Sequence, residues 1–213
     1  MINYSDKIEI RDIDVDGERN WTWIKTDSGA WDGPKREWET THKPTYLKYL
    51  KDRKSVITAG GNCGMYVRHY AKLFDIVWAF EPSPVNFHCM VNNSTFTNVV
   101  KIQAALGDEH KMIMMNDGDQ TNVGVHTVNS RIDDSFIPLL TIDTFNFPHC
   151  SLIQLDVEDY EPFVIRGALN TIKKFRPVII MERGDKQELK DILTPLDYEL
   201  VDRTGSDHVW VAK

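Results

Sequence analysis

Three groups of residues in this chain have the types and spacing to do chemistry. The first is Gly60, Gly61 and Gly64 within VITAGGNCGMY, residues 56–66, where an apolar run breaks into glycines and then into a helical pattern. A strand, a glycine turn and a helix in that order let backbone approach a cofactor closely and aim helix N-terminal amides at it. The second is Glu81, which closes the next apolar run about 20 residues on, where a carboxylate can accept hydrogen bonds from both hydroxyls of a ribose. Pro82 and Pro84 fix the turn behind it. The third is LIQLDVEDYEPF, residues 152–163, which crowds Asp156, Glu158, Asp159 and Glu161 where a strand ends. Ligands of open α/β folds bind at that carboxyl edge, and a carboxylate there can take a proton. Asp159 and Glu161 also suit helix capping and the acidic first turn of a helix; Asp156 suits that role less.

Other chemistries are absent from the pattern. The glycines are not spaced as GxGxxG and no GxxxxGK[ST] occurs, so neither a full dinucleotide fingerprint nor a P-loop is supported. Oxygen-rich clusters suit magnesium or calcium, yet there is no EF-hand loop and no HExxH, and no metal is expected. His42, His69, His88, His110, His126, His149 and His208 are scattered without ligand spacing, leaving His126 and His149 as pocket candidates. Cys63, Cys89 and Cys150 lie far apart with no CxxC pair, which points to a reducing compartment rather than a disulfide framework.

The elements that must position these residues follow a regular rhythm from about residue 55. SVITAGG predicts a strand, MYVRHYAKLF a helix, IVWAFEP a strand, residues 84–93 a helix and NVVKIQAAL a strand, the spacing of parallel α/β units. KMIMMN and VGVHTV, separated by DGDQT, predict two strands of a polar hairpin or lid-like insertion. The rhythm then resumes: SLIQLDV as a strand, 160–174 as a helix with Leu169, Ile172 and Phe175 at helical spacing, PVIIME as a strand, and 186–193 as a short helix. YELVDRTGSDHVWVA closes the chain as two strands. Residues 1–50 differ: they hold four of the six tryptophans, Trp21, Trp23, Trp31 and Trp38, among turn-forming glycines, and predict a loop-rich, aromatic arm or cap.

With 213 residues, 41% of them apolar, the chain can bury the core of one ordinary domain. Lys and Arg number 25 against 32 Asp and Glu, a net charge of -7 without a basic block, which argues against broad attraction to nucleic acid. No apolar run approaches the roughly 20 residues of a membrane span and the N-terminal stretch carries no leader-like apolar region, so a soluble, cytoplasmic protein is expected. No heptad repeat indicates an oligomeric state.

Taken in order, VITAGGNCGMY, VWAFEPSPVNF, VVKIQAALGD, IPLLTIDTF and LIQLDVEDYEPFVIRGALNTIKKFRPVIIMERG resemble the FkbM family of S-adenosylmethionine-dependent methyltransferases, from about residue 54 to about 184. The resemblance implies a Rossmann-like class I methyltransferase domain over 51–213, with a mostly parallel central sheet, flanking helices and a C-terminal antiparallel strand. It implies S-adenosyl-L-methionine as the methyl donor and O-methylation of a sugar, glycan or other small hydroxyl-bearing acceptor. Carried onto this sequence, Gly60, Asn62 and Gly64 border the methionine part of the donor, Glu81 holds the ribose, and Gln103 and Ala104 flank the adenine. Asp156 and Glu158 occupy the acidic motif near the reacting methyl, with Asp156 the first choice as proton acceptor, and Glu182 matches a later strand-end glutamate. Two positions depart from the family's pattern: Thr58 stands near the donor where an acidic residue is usual, and Asp159 where glycine is usual. These departures and the aromatic arm leave open a donor- or carbohydrate-binding module without catalysis; a nicotinamide-dependent Rossmann-like oxidoreductase is the other alternative.

Overall fold

A computed structural model describes residues 4–15, 17–27, 45–114 and 136–213. Two short strands open it, β1 (Ile8–Arg11) and β2 (Trp21–Ile24), paired antiparallel with Arg11 opposite Trp21. Strand and helix then alternate through β3 (Ser55–Ala59), α1 (Met65–Leu73), β4 (Ile76–Phe80), α2 (Pro84–Asn93) and β5 (Val99–Ile102). A side unit of β6 (Ala105–Leu106), β7 (Lys111–Met114) and β8 (Phe136–Leu140) follows. The alternation resumes with β9 (Leu152–Leu155), α3 (Glu161–Arg166), α4 (Leu169–Phe175), β10 (Val178–Glu182) and α5 (Gln187–Leu193), and ends on β11 (Tyr198–Thr204) and β12 (Asp207–Ala212).

The main sheet runs in the order β11, β12, β10, β9, β3, β4, β5. Neighbours from β10 to β5 are parallel, while β12 is antiparallel to both β10 and β11, the expected Rossmann-like arrangement. β3 lies between β4 and β9 and all five of its residues are buried, as a parallel strand covered on both faces requires. Alternation sends its side chains to opposite layers: Val56 packs with Tyr70 and Phe74, and Ile57 with Ile165 and Ile172. Chain reversals after β3, β4 and β9 therefore gather at one edge of the sheet.

Several boundaries differ from the sequence reading. The helix expected over 160–174 is two helices, because Gly167 and Ala168 interrupt it. Gly167 crosses the chain so closely that a Cβ there would sit 1.9 Å from the Gly107 carbonyl oxygen. Asp143, on a 3-10 turn, caps the second helix by accepting from Asn170 N–H at 2.9 Å and Thr171 N–H at 2.8 Å. NVVKIQAAL likewise splits into β5 and β6 at Gln103 and Ala104, where Ala104 N–H turns back to Ile102 O at 3.1 Å. β7 pairs with β8, for which no element was predicted; DGDQT, VGVHTV, Trp31, Trp38 and His126 lie outside the described residues.

The arm expected to be loop-rich contains the β1–β2 ladder. Trp21 and Trp23 are buried against Cys63, Met65 and Cys89, and none of the three cysteines forms a disulfide. The Trp23 indole donates to Asp27 Oδ2 at 2.5 Å, while the Arg68 guanidinium covers the Trp21 ring at 4.7 Å. One buried side chain joins this hairpin to the rest: Asn93 Oδ1 accepts Thr22 N–H at 2.7 Å. Its Nδ2 donates to Thr22 O at 2.8 Å and to Cys63 O at 2.7 Å. No helix among the described residues is long and apolar enough to cross a membrane.

Candidate active site

The turn after β3 is folded against the end of β4: Gly60 N–H and Gly61 N–H both donate to Phe80 O, at 3.1 and 2.9 Å. Gly60 has φ +82°, and a Cβ there would sit 1.9 Å from the Asp156 carbonyl oxygen, so glycine is required by conformation and by space. Asn62 follows with φ 44° and gives its N–H to Glu81 Oε2 at 2.7 Å. Glu81 Oε1 accepts Ser83 N–H at 2.8 Å, where Ser83 and Pro84 start α2. Asn86, one turn into that helix, donates to Asn62 Oδ1 at 3.1 Å. Glu81 thus ties the reversals after β3 and β4 together, and each of its oxygens keeps a lone pair for a ligand hydroxyl.

These groups form one side of a cleft of about 690 Å³, open mouth included, at the carboxyl edge of the sheet. Phe80, Ala104, Ala105, Leu106 and Val157 give it an apolar wall, while Asp156, Glu158 and Tyr160 line it beyond β9. Gly60, Asn62, Glu81, Ala104, Asp156 and Glu158 are therefore brought together. Three other sequence candidates lie elsewhere. Thr58 is fully buried within β3 and its hydroxyl donates to Gln154 on β9. Gly64, at φ 93°, begins α1 and lies against Met90 of α2, where a Cβ would be 3.0 Å from Met90 Cα. Gln103 is exposed outside the cleft lining. His149 is corrected as a pocket candidate: its carbonyl accepts the Ser55 hydroxyl at 2.6 Å, at the opposite end of β3. The sequence reading missed Asn86 and Tyr160, whose motifs were singled out for other residues.

The acidic segment is arranged by unusual backbone. Glu158 and Asp159 have φ 50° and 71°, and only Asn, Asp and Gly adopt that region readily. Oxygens of Asp156, Glu158 and Glu182 lie within 4.8 Å of one another. Burial, then the nearby Glu182 carboxylate, pushes Glu158 up to about 7, with Arg183 opposing. Glu81 also stands at about 7, because burial outweighs its two backbone donors. Asp207, opposite Glu182 in the ladder, is raised to about 7 by burial and by Glu182. The three clustered carboxylates meet a hard cation's needs on distance alone; positive charge is already present in Arg183, and no metal is assigned.

The methyltransferase FkbM domain model matches residues 60–200. A methyltransferase FkbM from Methylobacillus flagellatus KT superposes with a TM-score of 0.58 at 16% identity, over 82% of this chain and 47% of that one. This chain therefore spans about half the length of that protein. Precorrin 8w decarboxylase from Methanobacterium thermoautotrophicum aligns at 12% identity over 80% of this chain and 87% of its own, with a TM-score of 0.48. A ribosomal protein L11 methylase from Lactobacillus delbrueckii subsp. bulgaricus aligns at 12% identity over 78% and 74%, also at 0.48. At 16% identity the likeness to the Methylobacillus flagellatus protein is one of fold. No curated protein sequence matches the chain.

Proposed function

Since this chain belongs to the FkbM methyltransferase family, we propose that it transfers the methyl group of S-adenosylmethionine to a hydroxyl oxygen of a sugar or another small acceptor. The observation that carries this reading is the joining, in one cleft, of the Gly60–Asn62–Glu81 corner to the Asp156–Glu158 acid pair. The residues suit such a donor. An apolar wall of Phe80, Ala104 and Leu106 accommodates a flat base, Glu81 accepts ribose hydroxyls, and the carboxylates face a cationic sulfur.

When bound, S-adenosylmethionine supplies an electrophilic methyl on a sulfonium. The chain's task is then to line up the acceptor and take its proton. Glu158 suits the proton-accepting role, since at about 7 it is part ionised at neutral pH and basic enough to take a proton in transit. Asp156, the first choice on sequence, lines the same cleft and on this reading orients the hydroxyl beside it. Ground-state attraction between these acids and the sulfonium is lost as the methyl leaves, a cost that a partly protonated cluster keeps small.

Calorimetry with S-adenosylhomocysteine and a radiolabelled methyl-transfer screen over sugars and other hydroxylated compounds test the reading. Saturable binding with transfer to an oxygen acceptor is expected. Preferential binding of a nicotinamide dinucleotide overturns it, and donor binding without transfer to any acceptor class favours a binding module.

A further inference from the structure

Two loops carry the acid cluster, one after β9 and one after β10, and both contain strained backbone. Glu158 and Asp159 are consecutive non-glycine residues at positive φ, and Arg183, directly after β10, is a third at φ 49°. Such backbone persists only where its surroundings hold it. Here the contacts across the two loops are ionic. Arg183 Nη1 donates to both Asp159 oxygens at 3.1 Å, and Lys186 Nζ donates to Asp159 Oδ1 at 2.6 Å. Arg183 Nε also lies 3.9 Å from Glu182 Oε1, and Lys186 Nζ 3.5 Å from Glu161 Oε2. Asp159 is therefore not the helix cap that its sequence position suggests; Tyr160 occupies that position, and the Asp159 carboxylate faces the neighbouring loop. With Asp159 58% and Arg183 52% exposed, the pair adds little to global stability. Its effect is on where two cationic side chains sit.

We propose that Asp159 is a positioning residue: by gripping Arg183 and Lys186 it fastens the loop after β9 to the loop after β10, fixes Glu158 beside Asp156 and Glu182, and draws part of both cations' charge away from the cluster. This rests on the reading of the cleft as an S-adenosylmethionine site. The charged groups facing Glu158 are Glu182 and Arg183 from the end of β10, Glu161 on α3, and Asp159 and Asp156 on its own loop. Of these, Glu182, Glu161 and Asp159 hold the Glu158 carboxyl up and Arg183 pulls it down. Loss of Asp159 acts twice in one direction, removing a like charge and releasing Arg183 toward Glu158 and Glu182.

The test needs no acceptor. S-adenosylmethionine and S-adenosylhomocysteine differ by one methyl and one positive charge at sulfur, so the ratio of their affinities reads the charge of the cluster. Contacts to the ribose and base cancel. Calorimetry from pH 5.5 to 8.5 is expected to show this ratio rising about tenfold in favour of S-adenosylmethionine as the cluster ionises. Asp159→Asn and Asp159→Gly both accept left-handed backbone and keep the fold. In each, the midpoint of the rise moves down by roughly half a pH unit or more and the high-pH ratio falls severalfold. Arg183→Gln moves the midpoint up. If Asp159 is merely structural, its loss weakens both ligands alike and leaves ratio and midpoint in place, which overturns the proposal. Wild-type protein that binds neither ligand overturns the donor reading instead.

Discussion

Replacing Glu81 by glutamine should flatten the pH dependence of folding. In the fold the Glu81 carboxyl stands at about 7 against an ordinary 4.5, because burial outweighs the N–H groups of Asn62 and Ser83 that favour its charge. Between those values the folded chain binds more protons than the unfolded chain, so stability is lost as pH rises. For this one group the loss from pH 5 to pH 8 integrates to about 2.5 kcal/mol. Glutamine carries no such dependence. It offers one acceptor oxygen where two backbone donors wait, at a cost of about 1–3 kcal/mol that is the same at every pH. Urea unfolding of both proteins at pH 5, 6, 7 and 8 isolates the pH-dependent part as the difference between them, with the raised Glu158 and Asp207 common to both. Wild type should lose about 2.5 kcal/mol more than the variant over that range. Saturating S-adenosylhomocysteine should shrink the wild-type slope, since ribose hydroxyls donating to Glu81 favour its ionised form. Parallel curves for the two ligand-free proteins refute the reasoning.

Gly60→Ala forces a Cβ to within 1.9 Å of the Asp156 carbonyl oxygen at φ +82°; thermal denaturation should show destabilisation of about 3 kcal/mol or more, and calorimetry a loss of donor binding. Thr58→Val leaves the buried Gln154 amide without its hydroxyl partner and should cost about 1–3 kcal/mol in urea, with S-adenosylhomocysteine affinity nearly unchanged because Thr58 lies outside the cleft. Once an acceptor is found, Glu158→Gln should lower single-turnover transfer by about 10²-fold or more, with the rate no longer rising through pH 7, whereas Asp156→Asn should lower the rate and keep that rise.

The parallel core was legible because β3, β4, β9 and β10 are short apolar runs ended by chemistry-bearing residues, and the glycine turn and Glu81 stand at those ends. What the sequence could not show was long-range contact. Gly167 breaks a helix because Gly107, sixty residues earlier, passes beside it. Asp143 caps a helix it does not belong to. Gly64 and Thr58 sit within the recognised blocks, yet one serves the approach of α1 to α2 and the other a cross-strand hydrogen bond. Asp159 carries the signature of a first-turn acid, and only the positions of Arg183 and Lys186 on a different strand's loop give it other partners.

The amide of Asn93 gives the N-terminal hairpin a use beyond burying tryptophans. Through it, and through the packing of Trp21 and Trp23 on Cys63 and Met65, the hairpin shares its fate with the turn that Glu81 grips. A ligand that steadies that turn is expected, through this coupling, to slow hydrogen exchange at Thr22, which it never touches. Trp21 and Trp23, packed beside that turn, are expected to report donor binding through their fluorescence; emission unchanged at saturating S-adenosylhomocysteine would sever the link.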